Sequence, residues 1–484
     1  MAAVISCAAG DVEELRRSTD TERAATAFRE KHYPEAAHWL RRALSHNPND
    51  EYTLNFLGTV YFLEGNVDAT LKYWNRISKP RIDGLHLPSN LRLDPVLLDH
   101  AFAFAAPGML RLEDLAATRV RIAGLGIFPG ARFELDARND GGFDASLVAQ
   151  ERNGFGTGKV QTALSILRGL PYQAIQPEYY NLRHSAINIT SLLRWDPQKR
   201  RVLATLSGPW RDNPKRRYAI TVDGRDEQWE LRDSLQSTAP SLGTFGLRRA
   251  ALGAAITSLY GNWDWSAGAE FSYRNFRDPS AALALPADLR LSGYQLKQSL
   301  HIHRVLWRLP EHRFESSVHA SSDLGRLLTG DSGAFARFQA GASAKWLPGM
   351  KGDDYAIQTQ VRAGKIFGQV PFDELFILGL ERDNDLLMRA HIGTRDGRKG
   401  SAPLGRSYFV TNWEIDKNIY NDGLFNVKLS PFLDVGKITG LGPAQWSLDT
   451  GVQAKLRVLS VGFTFAYGKD TRTGRNAFYI FASR

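Results

Sequence analysis

Cysteine is almost missing from this chain: Cys7 is the only one in 484 residues. No intrachain disulfide framework is therefore available, as in chains that live outside the cytoplasm by avoiding thiols rather than pairing them. Long apolar runs are missing too. No stretch of eighteen apolar residues occurs, although the apolar share is an ordinary 43%. A membrane-spanning helix is thus excluded, and a barrel of strands is the other structure able to cross a bilayer. The signatures of common catalytic sites are also absent: there is no G-x-S-x-G elbow, no H-E-x-x-H pair and no glycine-rich phosphate loop followed by Lys and Ser or Thr. No enzymatic activity and no cofactor are expected. His301 and His303 share one strand face, which could start a metal site but reads more simply as polar lining. The formal charge of +10 is spread along the chain, which favours anionic partners such as lipid headgroups and gives no focused patch for nucleic acid.

What the chain has in quantity is alternation. Trp446, Leu448, Thr450, Val452, Ala454, Leu456 and Val458 alternate with Ser447, Asp449, Gly451, Gln453, Lys455 and Arg457. Side chains of a strand point alternately to its two faces, so one face here is apolar and the other charged. Val461, Phe463, Phe465 and Tyr467 continue the pattern against small residues, Gly462, Thr464, Ala466 and Gly468. Earlier, Phe409, Thr411, Trp413 and Ile415 oppose Asn412, Glu414 and Asp416, and Phe425, Val427, Leu429, Leu433 and Val435 oppose Asn426, Lys428, Ser430 and Asp434. A soluble sandwich would use strands of about five or six residues. Segments of roughly ten alternating residues, with aromatics near their ends, fit strands that cross an outer membrane.

Similar runs lie near residues 156–167, 185–195, 200–209, 216–231, 245–259, 262–276, 292–308, 312–326, 335–347 and 354–367, followed by a run into a loop at Gly379 and five more after it. The expectation is a mainly β chain whose residues 153–484 form an antiparallel transmembrane β-barrel of about sixteen strands. The N-terminal part differs. Residues 1–20 read as a leader remnant or tail, in which Val4-Ile5-Ser6-Cys7 is like the end of a lipoprotein processing site. Residues 21–79 have helical spacing, with Ala36 and Ala69 lying 33 apart, close to the period of about 34 in tetratricopeptide (TPR) repeats. Residues 80–152 read strand, helix, helix, strand, strand, the last two joined by the turn signal Asn139-Asp140-Gly141-Gly142.

One segment breaks the alternation. From Gly379 to Ser407 the chain is too long, too charged and too rich in glycine for a turn, so it is expected to be a loop with a task. The combination of Leu378-Gly379, Leu387-Met388-Arg389-Ala390-His391, Glu414 on the next strand and Phe432-Leu433-Asp434-Val435-Gly436 after it resembles the BamA/TamA superfamily of outer-membrane insertases and translocases. The F-x-D-x-G motif matches fully. Ala390 and His391 stand where the family has Gly and an aromatic, and Leu380 replaces a second Gly. The resemblance implies a loop tucked back into the barrel and a POTRA-like periplasmic domain at 80–152. It also implies work on unfolded outer-membrane or secreted client polypeptides, with periplasmic accessory proteins as further partners. Independently, alternation puts Glu414 and Asp434 on the polar face, where an inward arginine can make two parallel hydrogen bonds to a carboxylate. Arg389, Glu414 and Asp434 are therefore expected to form a loop latch in the barrel lumen, supported by Gly379, Phe432 and Gly436. The alternative is a passive outer-membrane pore or transporter for small solutes or lipids.

Overall fold

The computed structural model describes residues 19–158, 162, 163, 166, 169–232, 240–328, 333–349, 352–381, 383–441, 444–458 and 461–483. Most of the expected leader and half of the strand expected near 156–167 lie outside these residues, and within that stretch residues 162, 163 and 166 are helical rather than extended. Helical residues 19–29 (α1) lead into α2 (Tyr33–His46), α3 (Glu51–Leu63) and α4 (Val67–Trp74), two helix pairs in sequence. Asp50 caps α3 through the Thr53 N–H, and Asn66 caps α4 through the Ala69 N–H, so each helix start is written locally. Ala36, Leu40, Leu54, Leu57, Tyr61 and Ala69 form the buried core of this unit. Gly58 lets Trp74 lie flat against α3: a Cβ there would sit 2.2 Å from the indole.

A small α/β unit follows, with strands β1 (Arg81–His86), β2 (Gly108–Met109), β3 (Ala131–Ala137) and β4 (Phe143–Ala149), and helices α5 (Pro95–Ala101) and α6 (Leu112–Leu125). Its sheet order is β2-β1-β4-β3. β1 runs parallel to β4, and β3 and β4 form an antiparallel hairpin. Leu97, Leu98, Leu115 and Ile122 pack with Phe133 and Leu147 of the sheet, and among the described residues β3 is an edge strand.

The remainder is one large antiparallel sheet curled into a barrel. Its first part comprises β5 (Ala174–Ile175), β6 (Glu178–Leu182), β7 (Ile187–Arg194), β8 (Lys199–Trp210), β9 (Asn213–Arg232) and β10 (Ser241–Leu259). It continues with β11 (Trp263–Arg277), β12 (Gly293–Leu309), β13 (Phe314–Leu327), β14 (Ala334–Trp346) and β15 (Tyr355–Gly368). After the short pieces β16 (Phe376–Ile377), β17 (Thr394–Arg395) and β18 (Arg398–Lys399) come β19 (Leu404–Asn421), β20 (Phe425–Gly440), β21 (Trp446–Val458), β22 (Val461–Asp470) and β23 (Asn476–Ser483). From β7 onward each long strand pairs antiparallel with the next. β5 and β6 both lie along β7, as two pieces of one interrupted strand. Among the described residues, the join between the two ends of the sheet carries a hydrogen bond from the Tyr172 hydroxyl to the Ile480 carbonyl.

Alternation accounts for the two faces. Phe271, Tyr273, Trp413, Ile415, Leu429 and Tyr467 are exposed on the outside, while Arg274, Ser430, Asp434, Asp449 and Gln453 are buried inside. Two sequence expectations change. The run into Gly379 is not a full barrel strand: Phe376–Ile377 is a two-residue piece that pairs with Leu404 and Gly405 of β19. The loop is also placed differently, running from 369 to 403, because Leu404 to Ser407 already belong to β19.

The N-terminal units sit on the rim of short turns. Asn66 donates to the Pro310 carbonyl at 2.9 Å, Lys72 pairs with Glu311 at 2.6 Å, and Asn188 donates to the Leu125 carbonyl at 2.8 Å. The 369–403 loop enters from the other rim. Replacing Gly58 by Val overpacks the α3–α4 contact, and a loss of about 1–3 kcal/mol is expected. In the full-length chain, the helical circular-dichroism transition should move to lower temperature while the barrel's heat-induced gel shift stays put; an unchanged helical melt contradicts the packing described.

Candidate functional site: the loop inside the barrel

The loop is seated by apolar packing and by three sets of ion pairs. Val370, Phe372, Leu375, Phe376, Leu378, Leu386 and Met388 are buried against Trp229, Phe245, Phe335, Tyr408 and Val410 of the wall. This apolar part fixes the depth of the loop, and the charged groups fix its direction.

At the tip, Arg389 is almost wholly enclosed. Its Nε and Nη2 donate to Asp434 Oδ2 and Oδ1 at 2.8 and 2.6 Å, and its Nη1 donates to Glu414 Oε2 at 2.6 Å. The fork of the guanidinium matches the two oxygens of Asp434, an arrangement that sets angle as well as distance. The Arg389 backbone N–H adds a third bond to Asp434 at 3.0 Å, and the guanidinium lies 3.9 Å from the centroid of the Phe432 ring. Asp434 also accepts from Asn412 at 2.7 Å, and Asn412 reaches the Leu387 carbonyl at 2.9 Å. Glu414 is held in turn by Gln453 at 2.8 Å and by Lys455.

The structure thus brings together Arg389, Glu414, Asp434 and Phe432. Gly379 and Gly436 act by size. A Cβ on Gly379 would lie 2.7 Å from Ala402 Cβ, and one on Gly436 would lie 3.0 Å from Met388 Sδ. The small inner face of β22 has the same effect, since a Cβ on Gly468 would lie 3.0 Å from the Arg389 carbonyl oxygen. His301 and His303 lie elsewhere in the wall, and His303 Nδ1 is 2.9 Å from Asp264.

Two further anchors were not foreseen from the sequence. Near the start of the loop, Glu374 meets Lys297 at 3.0 Å and lies near Arg274 and Arg337, each at 3.7 Å; Asp373 meets Arg274 at 3.1 Å. Further along, Asp383 accepts from both terminal nitrogens of Arg194 at 3.1 Å, from Arg201 at 2.6 Å and from Lys399 at 3.0 Å. The loop therefore turns Asp373, Glu374 and Asp383 toward cations on β7, β8, β11, β12 and β14, and Arg389 toward acids on β19 and β20. Two such opposed sets define one orientation, because reversing the loop would put like charges together.

Removing one partner of a buried pair costs on the order of 3–5 kcal/mol, because the other is left charged and unpaired. Asp434 receives three bonds from Arg389 and Glu414 one. Asp434→Asn should therefore release the loop more than Glu414→Gln. Trypsin cleavage at Arg395 and Arg398 of the folded barrel should rise in that order, and equal resistance of both variants and the parent would contradict it.

The sequence matches no family model and no curated protein. Solved structures do resemble it. CdiB from Escherichia coli is 12% identical, with 84% of this chain and 75% of that one covered, at a TM-score of 0.53. BamA from Haemophilus ducreyi lacking POTRA domains 1-3 is 12% identical over 83% of this chain and 84% of that one, with a TM-score of 0.45. CdiB from Acinetobacter baumannii is 10% identical over 83% and 74%, with a TM-score of 0.46. Identities this low speak to fold alone, and the match to the Escherichia coli protein carries the conclusion. This chain has the fold of CdiB from Escherichia coli.

Proposed function

We propose that this chain is an outer-membrane assembly or translocation factor, inserting β-barrel proteins into the outer membrane or moving polypeptides across it. The α/β unit then serves as a POTRA-like module and the helix pairs as a TPR-like docking module, both on the periplasmic side. Arg389, Glu414 and Asp434 act as the latch that keeps the loop in place, with no catalytic step.

The observation that carries this reading is the join of the sheet. The strand at one end is broken into pieces of two and five residues, and β23 at the other end has eight, whereas β9 and β10 have 20 and 19. Ladder bonds hold neighbouring strands together, so the join is where this barrel costs least to open, and an opened edge offers unpaired N–H and C=O groups to an extended client. The edge strand β3 is a second place where a client strand could add. A cavity of about 960 Å³ lies just inside the join, lined by Tyr172, Leu192, Arg194, Tyr479 and Phe481 among others. Folding and burial of the client supply the free energy, and no nucleotide is needed.

The same cavity keeps the alternative alive, a passive pore for small solutes or lipids. Crosslinking separates the two. In a Cys7→Ser background, Phe478→Cys on β23 should trap the terminal strand of a client carrying a single cysteine, and Arg389→Ala should abolish client assembly while the barrel still shifts on heating. Full conductance without residues 21–152, together with no trapped client, would instead identify a pore.

A further inference from the structure

The loop tip holds one cluster that the Arg389 contacts do not use. His391, Asp449 on β21 and Asp470 on β22 are 3%, 0% and 4% exposed. His391 Nδ1 lies 2.8 Å from Asp449 Oδ2, and His391 Nε2 lies 3.7 Å from Asp470 Oδ2. One ligand atom from each of the three residues falls within 4.8 Å of the other two.

Their hydrogen bonding is incomplete. Asp449 Oδ2 accepts the Ala390 N–H at 2.7 Å and faces His391 Nδ1, so Nδ1 carries the ring proton and donates it to Asp449. That tautomer leaves a lone pair on Nε2 pointing toward a carboxylate oxygen, one acceptor against another. Asp470 is itself held by the Arg472 N–H at 3.0 Å and the Thr473 hydroxyl at 2.5 Å. Among the described residues, neither His391 Nε2 nor Asp449 Oδ1 has a hydrogen-bonding partner. Buried acceptors in that state are costly. The adjacent cation, Arg389, is taken up by Asp434 and Glu414.

What fits between these acceptors is a positive charge, and the spacing says which kind. An N–H···O bond spans about 2.7–3.2 Å, so a proton on Nε2 would leave the 3.7 Å contact overlong and Asp449 Oδ1 unused. A tetrahedral ion with bonds of about 2.0–2.1 Å places its ligands about 3.3–3.4 Å apart, a few tenths of an ångström from the observed separation. We propose that His391, Asp449 and Asp470 bind one divalent transition-metal cation of the zinc class. His391 Nε2 and Asp470 Oδ2 are its direct ligands. Asp449 holds the imidazole through Nδ1 and keeps Oδ1 for a metal-bound water. The cation fastens the loop tip to β21 and β22, as Arg389 fastens it to β19 and β20. Because one ligand comes from the loop and another from the wall, occupancy reports loop seating whatever the barrel transports.

The test uses the full-length chain with Cys7→Ser, folded in detergent, stripped with a chelator and dialysed against Zn²⁺. One equivalent per chain should bind, and the heat-induced gel shift should then need a higher temperature. His391→Gln and Asp470→Asn, each first shown to keep the gel shift, should bind at least tenfold more weakly. Three results overturn the site: no Zn²⁺ on the folded parent above background, equal binding by the parent and both variants, or the same heat protection from acid alone with no metal taken up.

Discussion

The interaction on which the rest of this structure turns is the buried guanidinium of Arg389 between Asp434 and Glu414. A charge in that position is costly unless every hydrogen bond around it is made. Here both carboxylates are themselves held, Asp434 by Asn412 and Glu414 by Gln453 and Lys455. The order of a long loop, which loses conformational entropy at each residue, thus rests on a network whose members are mostly fixed strands. Wrong placements of the loop would strand charges, so the network selects one seating more than it adds bulk stability.

That selection is reinforced by separation of charge around the wall. Asp373, Glu374 and Asp383 face arginines and lysines on β7, β8, β11, β12 and β14, while Arg389 faces acids on β19 and β20. Between these anchors the loop packs an apolar cluster against Trp229, Phe245 and Tyr408, and Gly436 and Gly468 leave room for the backbone to approach the wall. Ion pairs, apolar contacts and small residues each define a different degree of freedom: direction, depth and closeness. The N-terminal units bind the opposite rim through Asn66, Lys72 and the end of α6, which leaves the loop side unencumbered.

Much of this was legible in the chain because the information is local. Period-two alternation places Trp413 outside and Glu414 inside without any tertiary knowledge, and the strand read at 262–276 spans Trp263–Arg277. Arg389, Glu414 and Asp434 could be grouped through the motifs that resemble a known family, which lie within 45 residues of one another on a loop and the two strands after it. The partners of Asp383 could not: Arg194 stands 189 residues away, and only the curling of the sheet brings it near. Many strands carry inward cations, so nothing in the sequence marks which ones a loop acid will meet. The substitution at His391 was visible as a departure from a family pattern. Its two aspartates were not, since each reads as ordinary polar lining until the loop is laid across them. The run into Gly379 misled because its apolar residues face the inside of the barrel, and period alone does not tell which side an apolar face covers.

The most direct test of the seated loop is a disulfide across it. In a Cys7→Ser chain, Met388→Cys and Gly436→Cys put two thiols on facing positions, since Met388 Sδ now lies 3.0 Å from where a Cβ on Gly436 would sit. If Arg389 holds the loop inside the barrel, mild oxidation of the folded protein should link the pair nearly completely, and adding Asp434→Asn should reduce the yield. A folded, heat-shiftable barrel in which the pair stays reduced would place the loop elsewhere and contradict the account at its centre.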